Sequence, residues 1–257
     1  MLSKLRTLGY QACINSIDRL TELKAEYKAY TSQPVWQNSP HLRQHLFQFD
    51  APAQLLYPES IITVAMPLLP AKIKFEHQHK YYLVDAPILS NNSQHTRKII
   101  AAIGRDNRTR NFSVIEADLP TKLLASHSGL LENGLNNLGY ISGLGSFFQL
   151  VSFFSDIPIE KDVWKDHKIS PACQNCYQCI KNCPTGCIQH NIFNISRCLS
   201  LLSKEPFAYP DWIKNHWHNS IIGCQMCQLS CPMNRHVIDK AVTQVCFNET
   251  ETSAILS

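Results

Sequence analysis

The stretch CQNCYQCIKNCP, residues 173–184, sets four cysteines at Cys173, Cys176, Cys179 and Cys183, with Pro184 directly after the last. Four thiolates can close one metal site, and two arrangements compete for them. Structural zinc takes four ligands from paired Cys-x2-4-Cys units. A third cysteine at the same interval, followed by x3-Cys-Pro, is instead the run in which three cysteines hold one [4Fe-4S] cubane and the fourth crosses to another. The second arrangement requires a second motif. It exists as CQMCQLSCP, with Cys224, Cys227 and Cys231 before Pro232.

Counting back from Cys231, Cys227 and Cys224 take the third and second positions, but Ile221 stands where the first belongs. Either the second centre is a three-iron cluster or one ligand comes from elsewhere. Cys198 lies between the motifs, where a folded connection can return it. The ligands then sort as Cys173, Cys176, Cys179 and Cys231 around one centre and Cys183, Cys198, Cys224 and Cys227 around the other. Because the motifs exchange ligands, this part of the chain is expected to lose its fold without metal. Cys13, Cys187 and Cys246 are left over, and each reads as a small buried filler.

Nine of the eleven cysteines fall between 173 and 231. In a secreted chain that clustering would suggest disulfides. The opening MLSKLRTLGYQ has no apolar core of a signal peptide. No apolar run approaches the roughly 18 residues of a membrane helix, and the longest is SIITVAMPLL at 60–69. The expectation is a soluble, cytoplasmic protein with no membrane contact. The formal charge of +4 is offset if two oxidised cubanes, each about −2 with its thiolates, are present. A general basic patch for nucleic acid is therefore not supported by charge.

Other elements must hold these cysteines in place. With 257 residues, 44% hydrophobic and 17% charged, the chain has material for one large domain or two smaller ones. Residues 1–60 read mostly as helix, with SIDRLTELKAEYKAY starting at Ser16 as N-cap and PVWQNSPH at 34–41 breaking the pattern. Strands are expected over 60–66, 111–117 and 147–154, and helices over 93–103 and 121–127. This alternation suggests a layered α/β domain over 1–165. Beyond DVWKDHKISPA strand signals disappear and cysteines dominate, so a second domain is placed over 166–257.

Between them, SGLLENGLNNLGYISGLG carries Gly129, Gly134, Gly139, Gly143 and Gly145, five of the nine glycines in the chain. Such a segment is either a tight loop between helix and strand or a loop lying against a large planar cofactor. It is not a dinucleotide fingerprint, because GLGSFF lacks the third glycine and leads into a strand. His216 and His218 precede the second cysteine motif, and packing or surface roles suit them better than tuning a cluster. His41 and His45 share a helical spacing without an acidic third ligand. Glu116, Asp118 and Asp85 are candidate acids with nothing to choose among them. There is no Ser-His-Asp pattern and no P-loop, and no catalytic residue is assigned.

Taken together, CQNCYQCIKNCPTGCI, RCLSLLSKE and GCQMCQLSCPMN resemble the cluster domain of the epoxyqueuosine reductase family. SGLLENGLNN and GSFFQLVSFFSDIP are similar to that family's glycine-rich segment. The similarity covers about 127–234, and the order of its eight ligand cysteines independently favours Cys198. It implies an α/β (α+β) fold with a nitroreductase-like, cobalamin-type N-terminal domain followed by a bacterial ferredoxin-like two-cluster domain. It further implies that two [4Fe-4S] clusters feed electrons to a bound cobalamin, which would remove the epoxide oxygen of a tRNA-bound queuosine precursor. The cofactor-binding candidates are then Gly129, Gly134, Asn136, Gly145 and Ser146. An electron donor of flavodoxin or ferredoxin type and tRNA are the implied partners.

The chain departs from the family at named places. Leu131 and Leu135 replace the first glycine and the basic residue of Gly-x-x-Gly-Lys-Asn, and EADLP at 116–120 replaces an Asp-Thr-Gly-Pro-like segment with different spacing. Only 26 residues follow Cys231, so the C-terminal helical repeats of full-length reductases are not expected. An electron-transfer module serving a partner such as a corrinoid protein, and a redox or iron sensor, are the competing classes.

Overall fold

The computed structural model describes residues 2–33, 46–86, 92–104, 111–190, 192–203, 209–220 and 223–256. His41, His45, the break at 34–41 and Ile221 lie outside the described residues. Along the N-terminal part run helix α1 (Leu2–Thr7), strand β1 (Gln11–Ser16), helix α2 (Arg19–Thr31), strands β2 (Ser60–Pro67), β3 (Ala71–His77) and β4 (Lys80–Ala86), and helix α3 (Asn92–Gly104). Strand β5 (Val114–Ala117), helix α4 (Thr121–His127) and strands β6 (Glu132–Asn133), β7 (Gly139–Tyr140) and β8 (Phe148–Ser155) follow.

The main sheet has the order β1-β2-β8-β5, and every pairing in it is antiparallel. Its centre is β2, buried along its whole length except Pro67. A strand covered on both faces reads as a continuous apolar run, which is how SIITVAMP reads. Ile62, Val64 and Met66 pack with Leu5, Ile99, Ile103 and Phe153 on one face. Ile61 packs with Leu23, Leu55, Leu124 and Phe154 on the other. Each such fully buried side chain stabilises the fold by about 1.5–3 kcal/mol. Helices α1 and α3 thus cover one face and α2 and α4 the opposite one, a mixed α/β layering.

Two expectations need correction. The N-terminal stretch is not mostly helix, because Gln11–Ser16 is a strand paired with β2 from Gln11↔Ala65 to Ser16↔Ser60. Ser16 ends that strand and is not the helix N-cap, a position held by Asp18. The Ser16 hydroxyl accepts instead from the Asp18 amide, at 3.3 Å. Nor do strands stop near 165. Strand β11 (Val242–Phe247) returns to pair parallel with β3, which also pairs with β4, giving a second sheet of order β11-β3-β4. The β3–β4 turn passes through Gln78 and His79, both in the left-handed region, as a tight hairpin requires.

The connection that leads to the cysteines is fastened along its length. Asp162 accepts from Arg19 Nε at 2.6 Å, from the Ser16 amide at 3.1 Å and from Asn15 Nδ2 at 3.2 Å. Trp164 stacks on the ring of buried His127 at 4.3 Å. His127 bonds through Nδ1 to the Lys165 carbonyl and through Nε2 to Glu26, each at 2.5 Å. Finally the Ser170 amide donates to Asn133 of β6 at 2.7 Å, three residues before the first motif cysteine.

Candidate iron–sulfur centres

Short turns, not long elements, position the cysteines. Ser170 caps a 3-10 turn, Pro171–Cys173. Asn175 and Tyr177 take left-handed conformations, unusual for residues with a side chain, and these reversals separate Cys173, Cys176 and Cys179. Cys179 rides on helix α5 (Gln178–Lys181) and Cys183 follows it. The strands β9 (Ile188–Gln189) and β10 (Ile192–Phe193) form a small hairpin that turns the chain back. The chain then reaches Cys198, at the start of helix α6 (Leu199–Leu202). From that helix Ser200 Oγ donates to the Cys224 carbonyl at 2.8 Å and accepts from the Cys224 amide at 3.0 Å. Ser200 is therefore what carries Cys198 to the second motif. Cys227 sits on helix α7 (Met226–Leu229), with Cys231 just beyond.

The eight cysteines stand around two cavities. One, of about 250 Å³, is lined by Cys173, Cys176, Cys179 and Cys231 together with Leu135, Tyr140, Tyr177 and Met233. The other, of about 310 Å³, is lined by Cys183, Cys198, Cys224 and Cys227 together with Cys187, Pro184, Ile188 and Leu199. Each set takes one sulfur across from the other motif. Asn136 lines both cavities. Among the described residues no three His, Cys, Asp or Glu side chains are placed to hold a single metal ion; the sulfurs occupy cavity walls.

The surroundings of these sulfurs suit thiolates in a polynuclear centre. Amide N–H groups point at them: Leu135 at Cys173, Ile188 and Cys187 at Cys183, Ser200 and Leu201 at Cys198, and Met226 at Cys224. Asn219 Nδ2 adds a bond to Cys224 Sγ at 3.3 Å. Such donors favour the charged form of sulfur. Burial opposes it, pushing Cys179 up to about 11 and Cys227 up to about 12. A hydrogen bond from Cys187 outweighs burial at Cys183, which falls to about 4 with help from Thr185 and the two amides. Coordination displaces thiol protons, so metal loading relieves the thiols that burial holds protonated.

The glycine segment lies against this region. Asn136 Nδ2 donates to Tyr140 Oη at 2.8 Å and to the Cys227 carbonyl at 3.1 Å. A Cβ on Gly134 would stand 2.5 Å from the Tyr140 ring, so that glycine is required by close packing. Gly145 has φ +58 and faces Asn234. The Ser146 amide donates to Asn234 Oδ1 at 2.8 Å, and Ser146 Oγ accepts from Asn234 Nδ2 at 2.8 Å and from Gln228 Nε2 at 3.0 Å. Of the five cofactor-binding candidates Asn136 lines the two sulfur cavities, and Gly129 lines a third space. This is a polar cavity of about 470 Å³ bounded also by Ser126, Glu132, Trp164, Lys165 and Lys168.

The remaining candidates do not line either sulfur cavity. His218 packs edge-on to Tyr209 and His216 to Trp217. Asp85 lies 3.6 Å from Lys72. Sequence reading missed Asn234, Gln228, Ser200 and Asn219, the polar residues that fix the cysteine segments. Their one signal was nearness to cysteines, which polar loop residues generally share.

Residues 172–234 match the family described as a 4Fe-4S double cluster binding domain. The epoxyqueuosine reductase of Bacillus subtilis (strain 168) is 30% identical over 131 residues, 51% of this chain and 33% of that enzyme. The chain thus covers about a third of the length of the curated relatives it matches. The structure of epoxyqueuosine reductase from Streptococcus thermophilus superposes with a TM-score of 0.59 at 20% identity, covering 91% of this chain and 65% of that one. An epoxyqueuosine reductase crystallised with a tRNA-Tyr epoxyqueuosine-modified tRNA stem loop gives a TM-score of 0.58 at 17% identity, covering 89% and 62%. The chain is similar in sequence to these reductases over about half its length, shares their fold and carries a 4Fe-4S double cluster binding domain.

Proposed function

We propose that this protein is a two-cluster iron–sulfur oxidoreductase of the epoxyqueuosine reductase type. The observation that carries the reading is the division of eight cysteines between two cavities that share Asn136 as a wall. Cys173, Cys176, Cys179 and Cys231 would hold one [4Fe-4S] cluster and Cys183, Cys198, Cys224 and Cys227 the other. When bound, such clusters take up and release single electrons at potentials set by charge, exposure and hydrogen bonds to sulfur.

The protein's own residues do the positioning. The N–H groups of Leu135, Ile188, Ser200 and Met226 donate to the sulfurs and favour their charged form, against burial that raises Cys173 and Cys224. Asn136 ties the glycine segment to the Cys227 backbone and forms part of the wall of both cavities. Apolar side chains, including Leu135, Ile188 and Leu199, line the cavities beside the sulfurs. An external donor of flavodoxin or ferredoxin type supplies the electrons, and the modified tRNA of the relatives is the substrate class this reading takes over from them. Among the described residues no helix is long and apolar enough to cross a membrane, and a reducing cytoplasm suits so many thiols.

The finer reading, in which the clusters feed a cobalamin on a nitroreductase-like domain, rests on the resemblance. Gly134, Asn136, Gly145 and Ser146 are engaged by protein atoms, so the described residues do not present a corrin cradle there. Anaerobic reconstitution with iron counting, EPR of the reduced protein and titration with hydroxocobalamin test both levels. About eight irons per chain are expected for two cubanes, and about four or fewer would overturn the reading. A Co(II) signal altered by binding would extend the reading to a corrinoid. With full iron and no bound corrinoid, the search turns to another acceptor.

A further inference from the structure

Cys187 is buried, as expected of a small filler, but its surroundings are two other sulfurs. It is only 2% exposed and lines the same cavity as Cys183, Cys198, Cys224 and Cys227. Its Sγ lies 3.4 Å from Cys183 Sγ, and it also hydrogen-bonds the Cys198 side chain. The chain around it is fixed. Gly186 turns at φ +62, its amide donates to the Cys183 carbonyl at 3.2 Å, and the Asn194 amide donates to the Cys187 carbonyl at 2.8 Å. The side chain is thus aimed at two sulfurs by a closed turn on one side and a hairpin on the other.

Five thiols meet in a cavity where a cubane takes four. We infer that Cys187 is the fifth: a thiol that keeps its proton, donates it to the ligand sulfurs of Cys183 and Cys198, and so raises the reduction potential of that cluster. This rests on the two-cluster reading. Cys183 and Cys198 receive amide N–H bonds, as thiolate ligands do, whereas Cys187 faces those two sulfurs. Its single proton serves one of them at a time. A hydrogen bond to ligand sulfur withdraws electron density and favours the more negative, reduced cluster. Cys187 is on this account a positioning and tuning residue that makes no bond to iron.

The test compares wild-type protein with Cys187→Ala and Cys187→Ser, reconstituted anaerobically, by iron content and by redox titration followed by EPR. All three should carry about eight irons per chain. In Cys187→Ala one of the two midpoint potentials should become more negative and the other stay fixed. Cys187→Ser, which keeps a donor, should return the shifted potential toward wild type. Iron loss in Cys187→Ala alone would identify Cys187 as a ligand and overturn the inference. So would two unchanged midpoints. A wild-type protein that assembles only one cluster would bring down the two-cluster reading itself. Two wild-type clusters with an Ala variant that matches them would remove the inference and leave that reading standing.

Discussion

Asn234 is fully buried, and both of its amide atoms are used. Oδ1 accepts from the Ser146 amide at 2.8 Å, and Nδ2 donates to Ser146 Oγ at 2.8 Å and to the Gln228 carbonyl at 2.7 Å. These bonds join the glycine segment to the turn after Cys231. Replacing Asn234 by Ala strands buried donors and acceptors, so a loss of about 2–4 kcal/mol is expected, measured as a lower anaerobic unfolding midpoint. Gly145→Ala should cost a comparable amount. Its φ of +58 disfavours any side chain, and the new methyl would press on Asn234 Oδ1. Because the two changes break the same junction, the double variant should lose less than the sum of the singles. An additive result would show that Gly145 and Asn234 act separately.

At the same scale, Cys198→Ala should retain the cluster of Cys173, Cys176, Cys179 and Cys231 and damage the other. Iron should fall from about eight to about four per chain, and unchanged iron would refute the assignment of Cys198. The cysteines were legible because thiolate spacing is short-range and specific. Cys198 was legible only by counting a missing ligand. Ser200, which places it, left no signal, because a serine that clamps a backbone resembles any loop serine until the fold brings Cys224 to it.

Helix α4 shows what an element adds. Lys122 reaches from it into the glycine segment, where Nζ donates to the Asn137 carbonyl at 2.7 Å and to Asn137 Oδ1 at 2.6 Å. Burial lowers its pKa to about 8. The unfolded chain keeps the ordinary lysine value of about 10.4. Below about 8 the amine is charged in both states, and its burial is a constant penalty. Between the two values the unfolded state binds more protons, so stability rises with pH. The full effect is on the order of 3 kcal/mol. The difference in stability between wild type and Lys122→Met should therefore shift in favour of wild type from pH 7 to pH 10. A difference that stays flat over that range would mean Lys122 titrates normally.

Elements were legible where burial made them so. Strand β2 and helix α3 announce themselves through Ile61, Ile62 and Val64 and through Ile99 and Ile103, whose side chains fill the core. Strand β1 does not, because Asn15 is its one buried residue and its pairing with β2 is a tertiary fact. Strand β11 was hidden in the same way. Its register shifts between Thr243 and Val245, which breaks the alternation that marks a strand.

Over the whole molecule, the cysteine segment is a loop of chain fastened at both ends. On the entry side Lys165 and Ser170 bond to His127 and Asn133, and on the exit side the Val242 amide donates to the Pro70 carbonyl at 3.0 Å, after which β11 joins β3. Inside the loop, α5, α6 and α7 are four residues each. They are too short to be stable alone, and their order depends on the sulfurs and on clamps such as Ser200 and Asn234. The main sheet, by contrast, has its own apolar core on each face of β2. Removing iron with a chelator under reducing conditions should therefore not unfold the protein as one unit. Hydrogen exchange should speed up throughout 171–234, in both motifs together because they exchange ligands through Cys183 and Cys231. Protection in β2 and β8 should survive, and the β3–β11 pairing should hold because its anchor at Pro70 lies outside the loop. If only one motif lost protection, the crossed ligand sets would be wrong. If β2 lost protection as well, the clusters would be supporting the N-terminal core, and the two parts of the chain would fold as a single unit.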